Sequence, residues 1–142
     1  DIFFENNSFI VTRKGGNRTI LYFTDEVKNA LLDWLKYRET IEGLPEDERA
    51  LFVSLQNKRI SVRAVENLVK KYAKIVTPLK KITPHKLRST FGTKLYRETG
   101  DIYIVADYLG HKDINTTKKH YAAVSDDMRK SAIKTVSLKS DD

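Results

Sequence analysis

His85 and Arg88 lie three residues apart in the segment TPHKLRSTFGTKLY, where Thr83-Pro84 is a helix-start signal. This spacing places both side chains on one face of a helix, one turn apart. The free N–H groups of a first turn favour an anion, a guanidinium matches two phosphate oxygens, and an imidazole exchanges protons near neutral pH. The pair is therefore a candidate phosphodiester clamp, although H-x-x-R alone more often marks ordinary surface residues.

Two further residues have types suited to phosphate chemistry. In Leu109-Gly110-His111, a glycine that ends a helix would present the imidazole from a fixed backbone position. Tyr121, in KKHYAAV, is a possible nucleophile if neighbouring cations or a base assist a phenol with a pKa near 10. Taken singly, a histidine such as His111 is more often a solvated residue after a helix cap. A tyrosine such as Tyr121, one of seven, more often serves in packing. We expect His120 to be solvated.

Composition excludes several other chemistries. The chain of 142 residues has no cysteine, which excludes a thiol nucleophile, a disulfide scaffold and a thiolate-ligated metal. No apolar run approaches the ~20 residues of a membrane span. We expect no metal, because the sequence has no H-E-x-x-H motif and no pair of carboxylates next to the histidines.

The net charge of +7 is concentrated in one segment. Between Lys58 and Lys94 there are eleven basic residues and one acidic residue, a net +10, while the remaining 15 basic and 18 acidic residues give −3. Such a segment is either a polyanion-binding face or a solvated lysine-rich face, and charge alone does not distinguish the two. If this segment binds DNA, the candidate contacts are Lys70, Lys71, Lys74, Lys80, Lys81 and Lys86.

The first half of the chain predicts a hairpin and two helices. Residues 8–12 (SFIVT) and 18–23 (RTILYF) flank a glycine-containing turn, which is typical of a β-hairpin. Thr24 caps a helix that ends near Tyr37 or Arg38, and residues 39–50 form an exposed loop. Residues 51–55 are either a buried strand or an irregular core segment. Ser61 caps a second helix, and the following apolar residues should face inward: Val62, Val65, Leu68, Tyr72 and Val76.

The second half predicts three more helices. One begins at Thr83-Pro84 and ends at Gly100, the next runs from Asp101 to Leu109, and Ser125 caps a last helix through about Val136, before a frayed end. The expected fold is mainly α with a small β-hairpin or sheet, in the α+β class.

The motifs PHKLR, YLGH and KKHY, in this order, resemble the C-terminal catalytic core of the tyrosine recombinase family, the phage-integrase and Xer-like site-specific recombinases. The resemblance runs from about Asp1 to Lys134. It implies the family's catalytic-domain fold and an enzyme that cuts and rejoins DNA through a 3′-phosphotyrosyl intermediate, without metal or cofactor.

The resemblance also implies roles for five residues. Tyr121 would attack the phosphodiester and Arg88 would stabilise the charge on its oxygens. Lys14, in the β-turn of VTRKGGNRTI, would protonate the departing 5′-oxygen. His85 and His111 would hold the phosphate and manage the tyrosine proton, and which of them is the base stays open.

The implied partners are double-stranded DNA and, in the full-length protein, three further copies in a homotetramer on paired sites. An apolar stripe of Met128, Ala132, Ile133 and Val136 suits docking onto a neighbouring subunit or packing on its own domain. We expect no membrane association and a cytoplasmic, nucleoid-associated protein. Whether the host element is a phage, a transposon or a chromosome-resolution system is open.

Residues 1–142 are expected to form one partial catalytic domain. The family's other catalytic arginine, in an upstream L-R-x-S-E-like helix, and its separate N-terminal DNA-binding domain are absent from the sequence. The step from His111 to Tyr121 is ten residues, where many members have nine. We therefore predict that this fragment alone cleaves DNA poorly or not at all. The alternatives are a non-catalytic DNA-binding module and a type IB topoisomerase-like enzyme.

Overall fold

The computed structural model describes residues 1–111 and 113–136, and the chain forms two compact units, Asp1–Lys81 and Ile82–Asp142. The first unit begins with an antiparallel sheet of β1 (Ile2–Phe3), β2 (Ser8–Thr12) and β3 (Arg18–Tyr22), in that order. Ser8 pairs with Tyr22 and Thr12 with Arg18, so the predicted hairpin is confirmed. The short edge strand β1 was not expected.

Helix α1 (Asp25–Arg38) organises the loop that follows it. The Thr24 side chain accepts a hydrogen bond from the Val27 N–H, as its predicted role as cap requires. The Trp34 indole N–H donates to the Leu51 carbonyl at 2.8 Å, and the Arg38 guanidinium donates to the carbonyls of Glu48 and Ala50. These bonds satisfy backbone acceptors that have no ladder partner.

The segment after this loop is largely irregular. Val53 forms an isolated antiparallel bridge with Arg59, and Val53 is buried. Residues 51–55 are therefore irregular, as one of the two alternatives has it, but only Val53 belongs to the core, because Phe52 and Leu55 are exposed.

Helix α2 (Val62–Val76) begins at Ser61, whose hydroxyl accepts from the Ala64 N–H at 3.1 Å. The prediction that its apolar stripe faces inward is wrong, because no residue of α2 is buried and Val62 and Val76 are 77% and 80% exposed. Periodicity shows that a helix has an apolar face, but burial needs a partner element, and the described part of the first unit supplies none for this face.

The second unit consists of α3 (Pro84–Thr99), α4 (Ile102–Leu109), α5 (Ile114–His120) and α6 (Ala122–Lys134). The boundaries of α3 and α4 match the predictions. Thr83 caps α3, Asp101 caps α4, and Gly100 and Gly110 end the two helices in the left-handed region, at φ 63° and 72°.

The region after Gly110 differs from the prediction. Helix α5 was missed, and the carboxylate of Asp113 caps it by accepting from the Asn115 N–H at 2.9 Å. Ser125 is not a cap, because α6 starts three residues earlier, directly after Tyr121. The Ser125 hydroxyl instead accepts from the Tyr96 hydroxyl at 3.1 Å. The predicted frayed end, residues 138–142, lies outside the described residues.

The core of the second unit joins its helices around Val105, Leu109 and Tyr121, with Leu95, Tyr96, Ile102 and Val124 packed against them. The expected class, mainly α with a small sheet, is confirmed. None of the helices in the described part of the chain has both the length and the apolar character that a bilayer crossing requires.

Candidate active site

Arg88 links α3 to the end of α4. Its guanidinium donates to the carbonyl of Leu109, the last residue of α4. The last carbonyls of a helix have no intrahelical partner, so this bond satisfies one of them and fixes the cation at the negative end of the α4 dipole. The positive charge of Arg88 therefore lies at the carbonyl of Leu109, which is two residues before His111 in the chain.

His111 is held by both its backbone and its ring. Its N–H donates to the Ala106 carbonyl at 3.0 Å, across the turn at Gly110. Its Nδ1 lies 2.6 Å from the hydroxyl oxygen of Thr117, a fully buried residue of α5. Burial first, then the positive charge of Arg88 and the electrostatic effect of the neighbouring His120, lower the pKa of His111 below its ordinary 6.5. The imidazole is therefore neutral at pH 7.

Tyr121 lies at the junction of α5 and α6 and is only 2% exposed. Its ring packs edge-on against Tyr96 at 6.2 Å between centroids and against the exposed His120 at 4.7 Å. Among the described residues its buried hydroxyl has no hydrogen-bond partner. Burial raises the pKa of the phenol above 10, and the Arg88 cation opposes this rise.

Gly92 is what allows Tyr121 to lie this close to α3. A Cβ at position 92 would overlap the Tyr121 hydroxyl and stand 2.8 Å from its Cζ. No sequence signal identified Gly92, because a single glycine within a helix does not reveal which distant side chain approaches it.

The structure therefore brings Arg88, His111 and Tyr121 together in the second unit. His85 lies in the first turn of α3, one turn before Arg88, with an exposed side chain. Thr117, which sequence reasoning also missed, contacts His111 through its side chain and accepts the Tyr121 N–H through its carbonyl at 3.0 Å.

Lys14 belongs to the first unit. It is exposed in the turn between β2 and β3, where the Arg13 N–H donates to the Asn17 carbonyl at 2.8 Å. Gly15 and Gly16 have φ values of 94° and 85°, which glycine adopts without the strain that other residues would incur. The turn thus carries Lys14 at its tip, as the sequence predicts.

The six lysines predicted to contact DNA are exposed. Lys70, Lys71 and Lys74 lie on α2 and Lys86 in the first turn of α3, while Lys80 and Lys81 follow α2. Across residues 1–111 and 113–136, the ion pairs involve other cations, namely Arg18, Arg97, Arg129 and Lys130. The predicted DNA contacts are thus not neutralised by ion pairs within the described chain.

The described residues contain no group of three or more His, Asp or Glu side chains that could hold a metal ion. The chemistry available to the site is that of a fixed cation, a neutral imidazole and a phenol. Such groups suit the stabilisation of negative charge and the attack of an oxygen nucleophile.

Comparison with known proteins identifies the family. A family model described as the phage integrase family matches residues 1–128. Tyrosine recombinase XerC of Psychromonas ingrahamii is 38% identical over 118 residues, which cover 83% of this chain and 39% of the relative. The chain thus spans about two-fifths of the length of that relative.

Solved structures agree with this assignment. The crystal structure of XerA recombinase has a TM-score of 0.79 and 27% identity, over 93% of this chain and 48% of that one. The Tn1549 transposon integrase in complex with transposon right end DNA has a TM-score of 0.68 over 96% of this chain and 51% of that one, and at 23% identity it shows the shared fold. The resemblance of PHKLR, YLGH and KKHY to tyrosine recombinases is therefore confirmed, and the chain belongs to the phage integrase family.

Proposed function

We propose that the chain is the catalytic part of a site-specific DNA recombinase or integrase. The observation that carries the proposal is the position of Arg88, whose guanidinium binds the carbonyl of Leu109 at the end of α4, two residues before His111 in the chain. Attack on a phosphodiester needs a nucleophile, a cation that stabilises the developing negative charge, and groups that bind the phosphate. A phenol, a fixed guanidinium and a neutral imidazole can serve these purposes. Family membership and the DNA-bound transposon integrase of the same fold support DNA as the substrate.

In the proposed reaction, the Tyr121 oxygen forms a bond to phosphorus as the bond from phosphorus to the 5′-oxygen breaks. Lys14 gives its proton to the departing 5′-oxygen, and one of the two histidines, His85 or His111, takes the phenolic proton. Arg88 stabilises the charge that builds on the non-bridging oxygens. The phosphotyrosyl link preserves the energy of the broken bond, so reversal by a 5′-hydroxyl of another strand rejoins DNA without ATP.

Substitution of Arg88 tests this function in the longest natural polypeptide that contains the chain. We expect Arg88→Ala to reduce strand cleavage on the order of 100- to 1000-fold, because it removes a charge that acts on the transition state, and to change duplex binding far less. Arg97→Ala is the matched control, since Arg97 lies on the same helix but pairs with Asp127 at the surface. Equal cleavage by both variants would contradict the proposal, and binding without any cleavage by the unsubstituted protein would favour a non-catalytic module.

The assembly proposed for the full-length protein is a homotetramer on two paired sites. The exposed side of α6 supports it, because Ile133 is 70% exposed and Met128 is only partly buried. Mixing Tyr121→Phe and Arg88→Ala proteins tests whether subunits share sites, since activity returns only when one subunit complements another. A monomer that relaxes supercoils without a defined target would favour the topoisomerase alternative.

We also propose that residues 1–142 form one partial catalytic domain of this recombinase, which acts at the nucleoid. The coverage of about two-fifths of XerC supports the first statement, and the DNA substrate supports the second.

A further inference from the structure

Thr117 differs from Thr90 and Thr99, two threonines of α3, in what its hydroxyl contacts. The hydroxyls of Thr90 and Thr99 donate to the carbonyls four residues earlier, at 3.0 and 2.7 Å. This is the usual bond for a threonine within a helix. Thr117 is fully buried, and its oxygen instead lies 2.6 Å from Nδ1 of His111.

The direction of this hydrogen bond follows from burial. A neutral imidazole has one ring nitrogen that donates and one that accepts. If Nδ1 carried the proton, it would donate to Thr117, and the threonine hydrogen would be buried without an acceptor among the described residues. Leaving a buried donor unpaired is costly, whereas donation from Thr117 to Nδ1 satisfies both groups.

We propose that Thr117 is a positioning residue that holds His111 in the tautomer with its proton on Nε2. The framework around this bond is fixed on both sides. Asp113 caps α5, and the turn at Gly110 is closed by the bond from the His111 N–H to the Ala106 carbonyl. The Thr117 carbonyl also accepts the N–H of Tyr121, so one residue of α5 orients His111 and the backbone of the nucleophile.

The consequence for catalysis rests on the proposed function. An Nε2–H group donates to a non-bridging phosphate oxygen, and the same nitrogen does not accept the proton of Tyr121. The phenolic proton then goes to a group other than His111. The lowered pKa of His111 agrees with a neutral ring at working pH.

The tautomer is measured on the chain itself by nitrogen NMR of the imidazole rings, at a pH well above 6.5. His111→Gln assigns the signal among the three histidines. We expect a predominant Nε2–H form in the unsubstituted chain and a shift toward a mixture of tautomers in Thr117→Val, which has nearly the same shape without the donor. Thr117→Ser should restore the Nε2–H form. Thr116→Val, at the exposed neighbouring position, should leave it unchanged.

An Nδ1–H form in the unsubstituted chain, or an Nε2–H form equally dominant in Thr117→Val, would overturn the proposal. Backbone amide spectra of the variants separate a lost hydrogen bond from a disturbed fold. If Thr117→Val disturbs α5, the tautomer of His111 measured in the unsubstituted chain and in Thr117→Ser still tests the proposal.

The catalytic consequence is measured in the longest natural polypeptide that contains the chain. Thr117→Val should slow formation of the covalent DNA adduct roughly 10- to 100-fold, as expected for a displaced phosphate ligand, with DNA affinity unchanged and with recovery in Thr117→Ser. Normal adduct formation by Thr117→Val would overturn the catalytic role of the tautomer. Absence of any adduct in the unsubstituted protein would instead refute the proposed function, and the NMR result would stand separately.

Discussion

The hydroxyl of Tyr121 is buried against Gly92 without a hydrogen-bond partner among the described residues. A phosphate cannot reach an oxygen that is closed off in this way. In the proposed reaction, attack on DNA therefore requires Tyr121 to leave its contact with α3, together with the start of α6. Leaving a buried hydroxyl unpaired costs about 1–3 kcal/mol, which favours such a departure once a partner for the hydroxyl is available.

A double-mutant cycle between Gly92 and Tyr121 tests this contact. In a Tyr121→Ala background, Gly92→Ala should gain the better helix propensity of alanine, about 1 kcal/mol, less the cost of moving the Leu109 side chain, whose Cδ1 would lie 3.1 Å from the new Cβ. In the unsubstituted background this gain should be lost, because the new methyl group displaces the phenol. Denaturant unfolding measures the free energies. Because burial is what raises its pKa, displacement should also return the pKa of Tyr121 toward 10.0, which ultraviolet titration against Tyr121→Phe detects. Equal effects of Gly92→Ala in both backgrounds would show that the residues do not interact.

The residues with reactive groups are recognisable from the sequence, whereas the residues that position them are not. His85, Arg88, His111 and Tyr121 stand out because their side chains and motif spacing indicate phosphate chemistry. Gly92 and Thr117 are ordinary helix residues whose importance depends on a distant side chain that reaches them. Such approaches between separate helices leave no local pattern in the chain.

Among the helices, α4 sets the position of the groups around Arg88. Its last residue provides the carbonyl that Arg88 binds, and the turn that follows carries His111. Its start and end were predictable because Asp101 and Gly110 are local signals. The start of α6 was not predictable in this way, because Tyr121 ends α5 and precedes α6 without a side-chain cap.

Removal of the α4 cap should weaken the second unit. The Asp101 carboxylate accepts from the N–H groups of Tyr103 and Ile104, so Asp101→Ala should cost about 1 kcal/mol of unfolding free energy, while Asp101→Asn should retain most of it. Urea unfolding followed by circular dichroism measures the difference. Asp33→Ala, at an exposed position of α1, is the control for loss of a negative charge. A loss in Asp101→Ala no greater than in this control would argue against the cap.

For the whole chain, the uneven distribution of charge is the feature that concerns DNA. The segment Lys58–Lys94 carries +10 within a chain of +7. Its lysines are exposed. The ion pairs of the described residues all lie outside this segment, at Arg18, Arg97, Arg129 and Lys130. Neither desolvation nor ion pairing within the chain therefore weakens the attraction of these lysines to phosphate appreciably.

Salt dependence of DNA binding tests this assignment on the chain itself. If Lys70 and Lys74 each contact one phosphate, changing both to Gln should reduce the slope of log affinity against log salt by roughly 1.8, about 0.9 for each contact. Fluorescence anisotropy with a labelled duplex measures the slope. Changing Lys28 and Lys36 of α1 to Gln is the control of equal charge. An equal loss of slope in both double variants would indicate a general charge effect and not a contact face.

Covalent capture of DNA tests the central claim most directly. The longest natural polypeptide that contains this chain is incubated with a pool of nicked duplexes of randomised sequence, and adducts that survive denaturation are digested and mapped by mass spectrometry. The proposed function predicts a 3′-phosphate joined to Tyr121, lost in Tyr121→Phe and retained in Tyr103→Phe, an exposed tyrosine of α4. An adduct that persists in Tyr121→Phe, or no adduct with the unsubstituted protein, would contradict it.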